Sequence, residues 1–302
     1  MRAFITGGRG FVGPWLRQHL EECGDRVVVA GAGVDVTDAA TVVSAIGAAR
    51  PDAVYHLAAQ SSVSTSWEDP AATFEVNTIG TLNVLDAVRQ AAPGARVLVV
   101  SSVEVYGIVA AADLPITEAA PMRPATPYAA SKAAGEMAAI QAYVGWGLDV
   151  IRARPFSHTG PGQAPRFFVA NMAQQIVHAA ATGVTELRTG NLALGRDITD
   201  VRDIVRAYRL LIDSGAGGEV YNICSGRSVT LDEVVGLLLA LNGTDLTVAT
   251  DPARLRPVDM PDLRGDAGRL RAATGWEAEY PLDQTLADVL AYWRSQPASV
   301  PS

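Results

Sequence analysis

Residues 6–13 read TGGRGFVG, Thr6 to Gly13, and they decide how the rest of the chain is parsed. An apolar run, Arg2 to Thr6, leads into them, and a helical pattern, Phe11 to Glu22, leaves them. Gly7, Gly10 and Gly13 therefore sit between a strand and a helix. Glycines there allow a tight turn and a close backbone approach, so that a pyrophosphate can rest on the helix N-terminal amides. The turn is expected to bind a dinucleotide, with Arg9, Phe11 and Val12 completing the contact. Its spacing is G-x-x-G-x-x-G rather than G-x-G-x-x-G.

Working outward, short Val-rich runs recur at Arg26 to Ala30, Ala53 to His56, Arg96 to Val100 and Leu148 to Arg152. Unbroken apolar runs suit strands buried on both faces of a parallel sheet. Helical patterns such as Thr78 to Ala91 lie between them. The expected fold class is α/β, a Rossmann-type doubly wound parallel sheet with a smaller C-terminal substrate domain. After about residue 155 the alternation loosens, with helical stretches near Phe167 to Ala181, Leu231 to Leu241 and Leu282 to Trp293. DITDVRDIVRAYRLLI and EVYNIC read as a helix and strand returning to the first sheet. Residues 1–155 with roughly 190–222 are thus assigned to the dinucleotide domain. Roughly 156–189 with 223–302 are assigned to the substrate domain.

Composition narrows the partners. The 302 residues are 49% hydrophobic and 19% charged, with no apolar run near the roughly 20 residues of a membrane span. A net charge of −8 argues against nucleic acid and anionic membranes and toward a small-molecule ligand. MRAFIT runs straight into the glycine turn and has no signal-peptide layout, so a cytoplasmic protein is expected. Cys23 and Cys224 have neither metal-ligand nor disulfide spacing, and no metal site is expected.

Chemistry is signalled by YAASK, where Tyr128 and Lys132 stand four apart on one helix face. An ammonium beside a phenol, with a nicotinamide cation, favours phenolate and brings proton exchange nearer neutrality. Of 24 basic residues, 23 are arginine, and Lys132 is the only lysine. A chain so biased would place arginine there too unless the site required a compact ammonium. SSVEVYG, Ser101 to Gly107, follows the fourth strand, where doubly wound sheets hold ligands, and gives Ser102 as a hydrogen-bond partner for a substrate oxygen.

With these residues the chain resembles the extended short-chain dehydrogenase/reductase family. The likeness runs through TGGRGFVG, DVTD at Asp35 to Asp38, YHLAAQ at Tyr55 to Gln60, Asn77, SSVEVYG, YAASK and RPF at Arg154 to Phe156. HTGPGQAPRF (His158 to Phe167), GNLALGRDITDVRDIV (Gly190 to Val205), YNICSG (Tyr221 to Gly226) and LRPVDMPDLRGD (Leu255 to Asp266) resemble its branch that reduces GDP-linked 4-keto-6-deoxyhexoses. The resemblance implies Ser102, Tyr128 and Lys132 as catalytic residues, with Glu104 beside them. It implies cofactor contacts from Asp35, Val36, Leu57, Ala58, Ala59, Asn77, Ser101 and Pro155. For substrate it implies Ser62, Val63, Ser102, Val103, Glu104, Ser157, His158, Phe168 and Val169, with Arg196 and Arg256 clamping the diphosphate and Asp259 accepting from ribose or base. The branch usually has asparagine at Ser157 and glutamate at Asp259. The family's dehydratases carry Thr-Asp-Glu where this chain has Ser102, Val103 and Glu104.

An NAD(P)H-dependent keto reduction follows, in which Tyr128 protonates the developing alkoxide, Ser102 holds that oxygen, and Lys132 orients the ribose. The second strand ends in Ala30-Gly31 without an acid for the adenosine 2′-hydroxyl, which favours NADPH over NADH. A 4-epimerase or 4,6-dehydratase with recycled cofactor, and a non-enzymatic dinucleotide sensor, remain as other classes. His56 reads as a hydrogen-bonded structural histidine. The resemblance also implies a homodimer.

Overall fold

The Val-rich runs become the strands of one parallel sheet because each is flanked by helices that cover both of its faces. The computed structural model describes residues 1–255 and 260–297. Its chain order begins β1 (Arg2–Thr6), α1 (Val12–Glu22), β2 (Arg26–Val29), α2 (Ala39–Ala49) and β3 (Ala53–His56). Two short helices follow, α3 (Val63–Glu68) and α4 (Pro70–Phe74), then a wide helical turn at Glu75–Ile79 that runs into α5 (Gly80–Ala91). Next come β4 (Arg96–Val100), a tight turn at Val103–Tyr106, α6 (Pro127–Trp146) and β5 (Val150–Pro155). The fifth strand thus lies further along than the expected Leu148 to Arg152, because Gly147, in the left-handed conformation, caps α6 and the strand begins only after it.

Beyond β5 lie β6 (Ser157–Thr159), α7 (Phe168–Thr182), β7 (Glu186–Thr189), β8 (Gly195–Arg196) and β9 (Ile198–Asp200). They are followed by α8 (Val201–Ser214), β10 (Val220–Ile223), β11 (Val229–Thr230), α9 (Leu231–Asn242), β12 (Thr247–Thr250), β13 (Asp262–Leu263), α10 (Gly268–Thr274) and α11 (Leu282–Ser295). The main sheet has the order β10-β5-β4-β3-β1-β2, all parallel. The returning helix and strand read from DITDVRDIVRAYRLLI and EVYNIC are α8 and β10, and β10 pairs with β5. Residues Gly195 to Asp200, in contrast, pair in small sheets with β11, β13 and β6.

One core fills the space between the sheet and α2, α5 and α6, built on Phe4, Val54, Leu85, Val97 and Val150. A second lies on the opposite face under α1 and α8, with Ile5, Leu16, Tyr55, Leu98 and Tyr208. A third, separate cluster joins α7, α9 and α11 through Met172, Ile176, Val234, Leu238, Leu286 and Val289. Strand order reverses between β1 and β3. A crevice opens there at the carboxyl ends of the strands, which is where an open α/β sheet holds its ligand.

Candidate active site

The glycine turn forms one wall of that crevice. Gly7 has φ +67°, and a Cβ on it would lie 2.5 Å from the Ala58 amide nitrogen, so β1 and the loop after β3 touch through bare backbone. A Cβ on Gly13 would come 2.2 Å from the Gly8 carbonyl oxygen, so α1 can seat on the turn only with glycine there. Gly10 is different: its Cβ would meet only the Gly7 oxygen, at 3.3 Å, and otherwise open space. The fold itself has weak need of that glycine, whereas a phosphate lying on the turn has a strong one. Arg9 is exposed beside it and has no hydrogen-bond or ion-pair partner among the described residues. The turn therefore fits a dinucleotide diphosphate. Gly10→Ala is expected to keep its melting temperature within a few degrees but to weaken NADPH binding about tenfold or more, by roughly 1.4 kcal/mol. Fluorescence titration alongside thermal unfolding checks it, and unchanged affinity would remove Gly10 from the site.

Phe11 connects this wall to the other side, because its ring stacks on His158 with centroids 6.2 Å apart and 10° between planes. His158 Nδ1 donates to the Phe156 carbonyl at 2.9 Å, since a carbonyl can only accept, and burial lowers the ring's pKa. Trp15 of α1 donates to the Pro161 carbonyl at 3.1 Å and ties down the same loop. His158 is thus held as a neutral packing group beside the cofactor turn.

The opposite wall is α6. Thr126 caps it by accepting from the Ala129 amide at 3.0 Å, and Pro127 occupies the first turn. A Cβ at Gly135 would lie 2.9 Å from the Asn77 carbonyl oxygen, so small residues let α6 press against the turn before α5. This packing buries Tyr128 and Lys132 at 8% exposure each. The Ser102 hydroxyl lies close enough to the Tyr128 phenol to favour its ionised form, and Ser102 accepts from the Glu104 amide at 3.3 Å. Lys132 Nζ donates to the Val100 carbonyl. Ser101 places a buried hydroxyl at the end of β4 that no protein group satisfies among the described residues.

The electrostatics differ from the sequence reading. Burial pushes the Tyr128 phenol up to about 12, with the Ser102 hydroxyl opposing and the Glu104 charge adding to the rise. Burial also brings Lys132 down to about 8, partly offset by Glu136. The expected lowering of the phenol by Lys132 is not what the fold alone provides, because the ammonium is spent on the Val100 carbonyl. Tyr128 therefore stands as a protonated donor at neutral pH.

Among the other expected contacts, Leu57, Ala58 and Ala59 follow β3 directly and are half-buried, and Pro155 ends β5. Asp35 accepts from both the amide and hydroxyl of Thr37 at 2.9 Å, which lowers its pKa. Val36 beside it is buried. Asn77 accepts from the Gln60 amide and donates to the Gln60 carbonyl and Ser131 hydroxyl, so it fastens the loop after β3 to α6. Ser62 caps α3, with Val63 as its first residue. Val103 and Val169 are buried in cores, while Phe168 is half-buried against the α7 cluster. Ser157 lies on β6. Arg196 Nη1 donates to the Gly195 and Met260 carbonyls at 2.6 and 2.8 Å. Arg256 and Asp259 lie outside the described residues.

One group escaped the sequence reading. Asp197, fully buried, accepts from Ser225 and Gly226 and from the Gly265 amide, and so locks three loops around the neighbouring Arg196. Its only signal is adjacency to that arginine. His56 is structural as read: its ring nitrogens meet the Thr6 and Thr81 hydroxyls at 2.8 and 3.0 Å, and burial lowers it to about 3. The folded value lies below the unfolded one, so its contribution is full above pH 6.5 and is lost as pH falls toward 3. At pH 5 this loss is on the order of 2 kcal/mol. His56→Gln is expected to flatten the acid limb of urea stability between pH 7 and 5, and an equally steep limb would assign the loss elsewhere.

Taken together, the glycine turn and a buried Ser-Tyr-Lys set both belong to the carboxyl-end side of the parallel sheet. A family described as GDP-mannose 4,6 dehydratase matches residues 31–289. The chain belongs to this family. Its relatives divide between activities. A GDP-6-deoxy-D-mannose reductase from Pseudomonas aeruginosa is 37% identical over 98% of each chain. The structure of RMD from the same species, complexed with NADPH, superposes with a TM-score of 0.91 at 35% identity, over 98% of this chain and 99% of that one. The UDP-glucose 4-epimerase of Thermus thermophilus, in complex with NAD, gives 0.87 at 30% identity, over 98% and 99%. Among the described residues no helix is long and apolar enough to cross a membrane, and no cluster of His, Cys, Asp and Glu could hold a metal.

Proposed function

We propose that this chain is an NADPH-dependent reductase of the C4 keto group of a GDP-linked 4-keto-6-deoxyhexose, giving GDP-D-rhamnose (GDP-6-deoxy-D-mannose). The observation that carries it is the burial of Tyr128 and Ser102 together, which keeps the phenol protonated, while Val103, between Ser102 and Glu104, is packed into the core. Keto reduction needs one proton donor, and the site presents one. The similarity to the P. aeruginosa reductase over the full chain supports the same reading.

When bound, the reduced nicotinamide supplies the hydride. Tyr128 gives its proton to the C4 oxygen as charge develops there, and Ser102 holds that oxygen within hydrogen-bond reach. Lys132, behind them, orients the ribose. Arg196 and Arg256 clamp the diphosphate, with Asp259 on the guanosine ribose or base. Ser157 and His158 border the sugar, with Phe168 toward the nucleotide. In this reading residues 1–155 with roughly 190–222 carry the dinucleotide, and roughly 156–189 with 223–302 carry the sugar nucleotide.

The enzyme is cytoplasmic in this proposal and works as a homodimer, supported by Ile79, Leu82, Met137 and Val144, which are exposed at α5, α6 and the turn before α5. Sedimentation should give the mass of two chains, and a monomer mass would reject the dimer.

The reaction is tested by mixing the protein with NADPH, or separately NADH, and GDP-4-keto-6-deoxymannose and following reduced-nicotinamide absorbance. Stoichiometric oxidation is expected, faster with NADPH. A cofactor that stays bound and unconsumed while the sugar changes would instead indicate a self-recycling epimerase or dehydratase, with Glu104, which lies near enough to raise Tyr128, as the added acid or base.

A further inference from the structure

Behind the reacting residues lies a buried charged cluster that neither cofactor nor substrate contacts explain. Glu136 is fully buried and Arg154 is 3% exposed. Arg154 grips both carboxylate oxygens, Nε to Oε1 at 2.8 Å and Nη2 to Oε2 at 2.7 Å, and Arg152 approaches Oε2 at 3.6 Å. The remaining arm of Arg154, Nη1, donates to the Tyr106 hydroxyl at 2.9 Å, and the guanidinium lies 4.8 Å over the Tyr106 ring. Tyr106 donates in turn to Asn222 of β10 at 2.7 Å, and Asn222 bonds the Ile116 carbonyl and Glu118. Burying such a pair adds little to stability, since well-packed apolar residues commonly do as well. Its position is more informative. Glu136 stands one helical turn past Lys132 on the same face of α6, and Tyr106 closes the turn that Ser102 opens.

We propose that Glu136, Arg154 and Tyr106 form a positioning brace for the reaction: Glu136 is the counter-charge that keeps Lys132 an ammonium, Arg154 fixes that carboxylate, and Tyr106 carries the same clamp to the Ser102 turn. The purpose of the brace rests on the reductase reading, whereas its electrostatics do not. Lys132 is brought down to about 8 by burial, and Glu136 is the charge that resists. The other titratable groups facing this region are His56 from β3, held neutral, Tyr128 on α6, Glu104 on the turn, and Arg152 and Arg154 from β5. None of these others supplies Lys132 with an opposing charge.

The solitary lysine makes the test direct. Protein labelled with ¹³Cε-lysine has one lysine ε-signal, whose shift against pH reads Lys132 protonation without any turnover. The wild-type midpoint is expected near 8. Glu136→Gln should lower it by roughly one unit or more, and Arg154→Gln, which leaves the carboxylate, should not. Should the single Glu136 variant fail to fold because Arg154 is left buried and unpaired, the double variant Glu136→Gln/Arg154→Gln removes both charges, and its midpoint should fall below that of Arg154→Gln by a similar step. An unchanged midpoint in the folded variant that lacks Glu136 overturns the brace. Tyr106→Phe should lower kcat while leaving the lysine midpoint in place. A shifted midpoint in a protein that never reduces the keto sugar would refute the reductase reading and leave the counter-charge standing, so the two failures are distinguishable.

Discussion

Phenylalanine in place of Tyr128 is expected to cut kcat by roughly 10²–10⁴-fold, the worth of a positioned proton donor. KM for the keto sugar and affinity for NADPH should stay within a few-fold. The phenol is held protonated, up to about 12, so the change removes a donor rather than a charge, and the Ser102 hydroxyl remains to bind the oxygen. Single-turnover measurement separates the steps: hydride transfer should slow with cofactor binding intact. If the variant retained most of its rate, the proton would have to come from another group, such as Glu104, and the assignment of Tyr128 would fall.

Lys132→Met is expected to move activity and stability in opposite directions. Burial lowers the ammonium from its usual value near 10.5 to about 8, so the charged side chain strains the fold at pH 7. The unfolded chain holds the proton more tightly between pH 8 and 10.5, and stability therefore rises with pH across that window. Methionine removes the buried charge but leaves the Val100 carbonyl without its donor. The net gain at pH 7 should be roughly 1–3 kcal/mol in urea unfolding, narrowing as pH climbs from 8 to 10.5. The reductase rate should fall about 10²-fold or more. A variant less stable than the parent at pH 7 would mean that the hydrogen bond outweighs the desolvation.

Much of this arrangement could be read from local sequence because it depends on local chemistry. The glycine turn, the YAASK helix and the first four Val-rich strands each carry their signal within a few residues and form close to the expected places, whereas β5 starts two residues late because Gly147 caps α6 first. The return of α8 and β10 to the sheet was legible too, since an amphipathic helix followed by a short apolar strand repeats the earlier pattern. Other features depend on residues far apart. The short strands β6 to β9 and β11 to β13 have two to four residues each, too few for any period to register. Tyr106 and Asn222 are 116 residues apart, and Arg154 and Glu136 meet only once β5 lies against α6. The rise of the Tyr128 phenol is not legible either, because spacing puts an ammonium near a phenol without revealing that both are buried and that the Val100 carbonyl takes the lysine.

Because β10 comes so late in the chain, the order of emergence from the ribosome matters. β5, ending at Pro155, has five of its six residues buried in the finished protein and pairs with β10, which starts at Val220. During synthesis one edge of that strand waits for roughly 65 further residues, or several seconds at typical elongation rates. Through that interval the nascent chain presents an open, apolar strand edge able to recruit another chain. Arg152 in the middle of β5, whose guanidinium ends on the Gly218 carbonyl once β10 has docked, is a charge placed on that edge in the meantime.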